Sequence, residues 1–197
     1  SSAAPPVVAV LVAHDPDFWF DDVLAGLAAQ DYPQLAVLCI DTGERDLTEE
    51  IQAVLPSAAI VRDSSVVGYG AAANRVRGAV EGAAFYFFVH DDVALEPDTV
   101  RLLVEESFRS NAAVAGPKLL DWNRPRHIRS VGSTIDAVGT ISPYAEPDEL
   151  DQEQHDRVRD VFVVSGGAIL IRCNLFDTIG RFDHYTNSLG ADLALTL

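Results

Sequence analysis

The sequence predicts an α/β domain with a mostly parallel sheet and helices on both faces. Two observations predict it. The first half alternates short apolar runs with segments whose apolar residues recur at helical spacing. Within it, Phe85 to Val89 is apolar without interruption, as expected of a strand covered on both faces. Such alternation builds right-handed crossovers between parallel strands. Ligands in open sheets of this kind bind beyond the carboxyl ends of the strands.

Taken in order, Val7 to Ala13 reads as a buried strand, turned by His14-Asp15-Pro16. Phe20, Val23, Leu24 and Leu27 recur at helical spacing, with Asp17 as N-cap. Leu35 to Ile40 is a second strand, stopped by Asp41-Thr42-Gly43. Leu47 to Leu55 is a short helix that Asp46 caps and Pro56 follows. Ala58 to Val61 is a third strand, and Ala-rich Gly70 to Val80 is helical. After Phe85 to Val89 come His90-Asp91-Asp92. Pro97 opens a helix with Val100, Leu103, Val104 and Phe108 on one face, and Ala113 to Gly116 is a small strand.

The second half changes character. Residues 121 to 142, rich in Gly, Pro and Arg, suggest an extended hairpin or a loop with short strands. Pro143 to Asp160 is an acidic loop or short helix. Val161 to Arg172 is a strand in which Gly166-Gly167 permits a close backbone approach. Gly180-Arg181-Phe182-Asp183 follows, and a last helix begins at Gly190. The chain stops at Leu197 within it, so the domain, residues 7–197, is expected to continue beyond that point, with residues 1–6 as a linker or remnant.

Composition limits the function classes. With 197 residues, 48% hydrophobic and 22% charged, the chain can bury a full core. Its 14 basic and 30 acidic side chains give a formal charge of -16. That surface repels phosphate backbones and anionic headgroups, which argues against nucleic-acid binding. A phosphate-bearing substrate would need a metal ion, helix N-termini or placed arginines. Cys39 and Cys173 lie far apart without metal-ligand spacing, which fits a reducing compartment rather than a disulfide or zinc site. No stretch approaches the about 18 apolar residues of a membrane span.

The polar strand ends are where chemistry could sit. Asp91 and Asp92, after a buried strand, suit Mg²⁺ or Mn²⁺, which takes one or two carboxylates plus substrate phosphates; the pair also suits a plain acidic turn. Asp41 could accept hydrogen bonds from a base or ribose, or simply form a turn. Gly68-Tyr69-Gly70 could admit a phosphate or base to backbone N–H groups, or serve as a flexible helix start. His14 and Asp15 share that ambiguity. Asp192 suits either a general base or a helix N-terminal charge. Glu146 to Asp160 reads as a solvated face, from which Gln154-His155-Asp156 could reach the cleft.

In combination and order, five segments resemble the inverting glycosyltransferase family 2 pattern. They are LAGLAAQDYPQLAVLCIDTGERD (24–46), VVGYGAAAN (66–74), FFVHDDVALEPD (87–98), VAGPKL (114–119), and SGGAILIR through GRFD (165–183). The stretches DWNRPRHIRSVGSTID and DQEQHDRVRDV are similar to those of large bacterial membrane-associated members. The resemblance implies a GT-A fold and transfer of a sugar from a nucleoside-diphosphate sugar to a glycan or lipid-linked acceptor, assisted by Mg²⁺ or Mn²⁺. It implies nucleotide contacts at His14, Asp15, Asp41, Gly68, Tyr69 and Asp91, a metal at Asp92, and Asp192 as catalytic base. The chain departs from the pattern at His90, where many relatives carry the first carboxylate of the metal motif, and at Ala191 and Ala194, which flank Asp192 where the family often has acidic residues. A domain that binds nucleotide sugar without turnover is the alternative, and a nucleotidyltransferase-like enzyme a third. The resemblance also implies work at the cytoplasmic membrane face in envelope glycan assembly, with membrane contact only through parts outside this chain.

Overall fold

In the computed structural model of this protein, the described residues are 4–179 and 182. The chain runs β1 (Val7–Ala13), α1 (Phe20–Ala28), β2 (Leu35–Asp41), α2 (Thr48–Val54), β3 (Ala59–Arg62), α3 (Tyr69–Ala73), α4 (Val76–Ala79) and β4 (Phe85–His90). It continues through α5 (Thr99–Arg109), β5 (Val114–Ala115), β6 (Leu119–Leu120), β7 (Ile128–Ser130), β8 (Ser133–Ile135), β9 (Ile141–Pro143), β10 (Ala168–Arg172) and α6 (Cys173–Thr178).

All seven residues of β1 are buried, because a strand without polar alternation has no face to give to water. It therefore sits inside a sheet of order β3-β2-β1-β4-β10-β5. The first four of these strands are parallel, and β10 lies antiparallel between β4 and β5. The two-residue period of the strands divides the core between the faces. Val7, Ala9, Leu11, Phe85, Phe87 and Val89 pack with α1, α2 and α5. Val8, Val10, Val12, Tyr86 and Phe88 pack with α3, α4 and α6. Phe87 and Phe88, on opposite faces, are fully buried, each worth about 1.5–3 kcal/mol relative to exposure.

Several local expectations are corrected. Asp17 does not cap α1: its carboxylate accepts the N–H of Phe18, and Trp19 occupies the cap position without a side-chain bond. Asp46 does accept the Thr48 N–H, but from one residue before the cap position. Gly70 to Val80 is two short helices, because Arg75 and Gly78 bond three residues back and tighten the turn. Phe108 is 58% exposed and Ser107 takes the inward position; Phe108 instead lies edge-on to Phe85, with the Arg172 guanidinium over its ring. Only Ala168–Arg172 of the predicted 161–172 strand pairs in the sheet. Residues 121–142 do carry the expected short strands: β8 pairs with β9, and β7 pairs with β6 just before this stretch.

The acidic segment is an irregular loop tied down by its own charges. Lys118 Nζ pairs with Asp151 and Asp156 at 2.7 and 2.5 Å. Gln154 donates to Glu149, and His155 Nε2 lies 2.9 Å from the same carboxylate. These side chains, expected as candidates for the cleft, are thus engaged within the loop and on Lys118. The Gln154 amide, then the Glu146 N–H and His155, pull the Glu149 carboxyl down to about 2. A depressed pKa means bonds fully present above the ordinary value of 4.5 and lost as pH falls towards about 2. We therefore expect Glu149 to stay ionised through mild acid and the loop to loosen only near pH 2, which a carboxyl NMR titration reads directly.

Helix α1 lies tight against the segment that follows β4. A Cβ on Gly26 would stand 2.7 Å from the Leu95 nitrogen and 2.9 Å from its oxygen. Backbone cannot swing aside as a side chain can. Gly26→Ala is expected to lower unfolding free energy by about 1–2 kcal/mol despite the better helix propensity of alanine. A shift of the urea midpoint at constant m-value measures it.

Candidate functional site

The chain leaves β1 towards β2 and β3, then returns to β4 on the other side of β1. The order reverses between β1 and β4, so a crevice opens beyond their carboxyl ends. The sequence places His14-Asp15 at one lip and His90-Asp91-Asp92 at the other. They are joined: the His14 N–H donates to Asp91 Oδ2 at 2.8 Å. Burial pushes the Asp91 carboxyl up, and the His14 N–H opposes it. The Asp92 side chain is exposed and has no hydrogen-bond or ion-pair partner among the described residues. The carbonyl of Asp92 accepts the indole N–H of Trp122.

Beneath this pair lie two aromatic rings. Tyr69 and His90 stack with centroids 4.0 Å apart, and Phe182 meets Tyr69 edge-on at 5.8 Å. The Tyr69 hydroxyl and His90 Nε2 are buried without a hydrogen-bond partner among the described residues. Burial, then the charges of Asp91 and Asp92, hold the Tyr69 phenol well above its usual range. Burial also lowers the His90 pKa against the pull of Asp92, so the imidazole is neutral at neutral pH. Asn74 fixes this corner by bonding both backbone groups of Phe182, at 3.0 and 3.1 Å. Gly68 precedes α3 with φ 90, a conformation that costs glycine nothing.

On the β2 side, the predicted nucleotide contacts are tied into the protein. Asp41 is 0% exposed. It accepts the N–H of Gly43 at 3.0 Å and of Leu47 at 3.3 Å, with Arg62 Nε at 3.5 Å. A ribose or base reaching this carboxylate would have to displace those bonds. Asp15, at φ 47, accepts the N–H groups of Glu44 and Arg45 at 3.1 and 2.9 Å. Those bonds pull its pKa down. Gly43 makes this possible, since a Cβ there would stand 2.4 Å from Asp15 Oδ1. Thr42, which the sequence did not single out, donates to Ala13 O and lies 3.1 Å from His14 Nδ1. The structure thus brings His14, Asp15, Asp41, Tyr69, Asp91 and Asp92 to one edge of the sheet, with Gly68 at the start of α3. Asp192 lies outside the described residues.

Among the described residues, three arginines near this edge are already paired. Arg45 meets Glu50, Arg62 meets Asp46, and Arg75 meets Asp63, each within 2.8 Å. Among the described residues no three His, Cys, Asp or Glu side chains converge as a metal cage. One exposed and one anchored carboxylate nevertheless fit Mg²⁺ or Mn²⁺, which draws most of its shell from water and substrate phosphates. A concavity of about 640 Å³ lined by Tyr32, Val104 and Phe108 lies by the amino ends of the strands and is no part of this site.

Comparison with known proteins bears on the family and the fold. A family model described as Glycosyl transferase family 2 matches residues 19–180. No curated protein sequence matches the chain. Among solved structures, S. aureus TarS matches with a TM-score of 0.64 at 18% identity, over 91% of this chain and 30% of that one. PcManGT, a mannosyltransferase from Pyrobaculum calidifontis solved with GDP-Man and Mn²⁺, matches with a TM-score of 0.65 at 15% identity, over 95% of this chain and 49% of that one. The S. aureus TarS 1–349 complex with UDP-GlcNAc matches with a TM-score of 0.51 at 19% identity, over 58% of this chain and 34% of that one. At these identities the likeness is one of fold, GT-A, and this chain spans less than half the length of each of these three.

Proposed function

Because the chain belongs to glycosyl transferase family 2, we propose that it moves a sugar from a nucleoside-diphosphate donor to a hydroxyl of a glycan or lipid-linked acceptor, with inversion. The observation that carries this reading is the exposed carboxylate of Asp92, without a partner among the described residues, beside the anchored Asp91 at the β1/β4 switch point. With the neighbouring arginines paired, a diphosphate arriving there meets mainly negative charge. A divalent cation held by Asp92, with Asp91 beside it, would neutralise the leaving diphosphate.

The remaining work falls to the chain's own groups. His14 holds Asp91 in place through its backbone N–H. Asp15 and Asp41 hold the loop after β2 that borders the crevice. In this reading the acceptor oxygen attacks the anomeric carbon as the bond to the diphosphate oxygen breaks, and the acceptor proton passes to Asp192. That role rests on the place of Asp192 after the GRFD block in the family pattern. The whole protein, in the same reading, works at the cytoplasmic membrane face in envelope glycan assembly. A second reading, donor binding without turnover, is favoured by His90, a neutral imidazole where many relatives carry a carboxylate.

Calorimetric titration of UDP, GDP and dTDP, each with and without Mn²⁺, tests the donor site. We expect one of them to bind and to need the metal. Absence of binding under both conditions would remove the donor site. Binding with neither transfer nor donor hydrolysis would select the second reading.

A further inference from the structure

Trp122 stands out from the Gly-, Pro- and Arg-rich stretch around it. Its indole N–H donates to the backbone carbonyl of Asp92, and 44% of the residue remains exposed. A tryptophan whose polar atom is satisfied and whose ring is half open offers an apolar face to a ligand. The ring is held in place by its turn. Asp121 Oδ1 accepts the N–H groups of Asn123 and Arg124, both at 3.0 Å. The Asp121 N–H donates to His127 O at 3.0 Å, and His127 returns a bond to Arg124 O at 2.7 Å. Arg124 ties the turn to Asp148 at 2.6 Å.

The flank matters too. The Trp122 turn follows β6, and a Cβ on Gly167, just before β10, would stand 3.2 Å from Leu119 of β6. The indole therefore reaches Asp92 from the β10 side, whereas the loops after β2 and β3 lie across β1 on the other flank. A ligand whose diphosphate sits at Asp92 has two ends, a nucleoside and a sugar. The sugar is bonded directly to the diphosphate, one ring away, and its C–H-bearing face matches an apolar ring; the nucleoside is left for the other flank.

We propose that Trp122 is the platform on which the sugar ring of the donor lies, and so a residue that selects the sugar. This inference rests on the donor-site reading above. It is distinct from a purely structural role in which the indole only pins the Asp92 loop. Trp122→Phe removes the N–H bond but keeps an apolar face; Trp122→Ala removes both.

The test is titration of UDP-N-acetylglucosamine and GDP-mannose against bare UDP and GDP, with Mn²⁺, into wild type, Trp122→Ala and Trp122→Phe. We expect Trp122→Ala to weaken the bound sugar nucleotide about ten-fold and its bare nucleotide by less than about two-fold, with Trp122→Phe within about three-fold of wild type for both. Acrylamide quenching in a Trp19→Phe background, which leaves Trp122 as the only tryptophan, should fall with the sugar nucleotide and not with the bare one. Equal weakening of both ligands by Trp122→Ala would overturn the platform and leave a loop-pinning role. Unchanged sugar-nucleotide affinity would overturn it outright. If wild type binds neither the bare nor the sugar nucleotides, the donor-site reading itself falls, and the platform with it.

Discussion

Asp92→Ala is expected to abolish metal-dependent nucleotide binding and to cut sugar transfer by at least about a hundred-fold, the scale of losing one electrostatic contact to a developing charge. The fold should not notice. The carboxylate is exposed and makes no bond to a described residue, so the stability change should stay within about 0.5 kcal/mol. Removing one acid from a chain of formal charge -16 also slightly relieves self-repulsion. Asp91→Asn is the informative partner. Its side-chain oxygen still accepts the His14 N–H, so the lip of β1 stays joined to β4 and part of the affinity should remain. Calorimetry with and without Mn²⁺, beside thermal melts, separates these cases. Metal-dependent binding that persists unchanged in Asp92→Ala would remove this residue from the site.

Asp41→Ala should do the opposite: unfold the protein more easily before it says anything about ligands. The carboxylate is wholly buried and accepts two backbone N–H groups, one of them long at 3.3 Å. Deleting it strands both donors and leaves Arg62 with one carboxylate fewer. At about 1–3 kcal/mol for each buried unsatisfied donor, and with one bond weak, we expect a loss of about 2–3 kcal/mol. That is a large share of the about 5–15 kcal/mol of a typical domain. A urea midpoint that falls at constant m-value would show it. Asp41→Asn should lie between, since it keeps the acceptor for Gly43 but sets an amide N–H against the N–H of Leu47. An unaltered midpoint in Asp41→Ala would mean that the residue serves a ligand rather than the loop.

The parallel core was legible because its signal is local. Val7 to Ala13 and Phe85 to Val89 carry no polar residue to alternate with, so both had to be buried strands, and the polar residues that end them had to lie at the carboxyl edge. The five family blocks in their order pointed to the fold that the solved structures share. Other features were not legible, for physical reasons that differ. Phe108 has the right spacing for the inner face of α5, yet the helix turns just far enough to put Ser107 there instead. Asp17 has cap chemistry, but it stands two residues before the cap position and its carboxylate accepts the Phe18 N–H. Trp122 carried a signal, a large aromatic in a polar stretch, but nothing local tells which backbone its N–H will find.

What the sequence determined alone is the order and type of the central elements and the acidic edge where they end, because burial of an apolar run depends on the run itself. What only the tertiary structure decided is the task of each polar group at that edge. Asp15, Asp41, Asp91 and Asp92 are the same side chain at three strand ends. Different partners separate them: the N–H groups of Gly43 and Leu47 close the turn at Asp41, those of Glu44 and Arg45 reach across to Asp15, the N–H of His14 anchors Asp91, and Asp92 has no partner among the described residues. Hydrogen bonding and desolvation depend on those partners, which for Asp15 and Asp91 come from distant stretches of the chain.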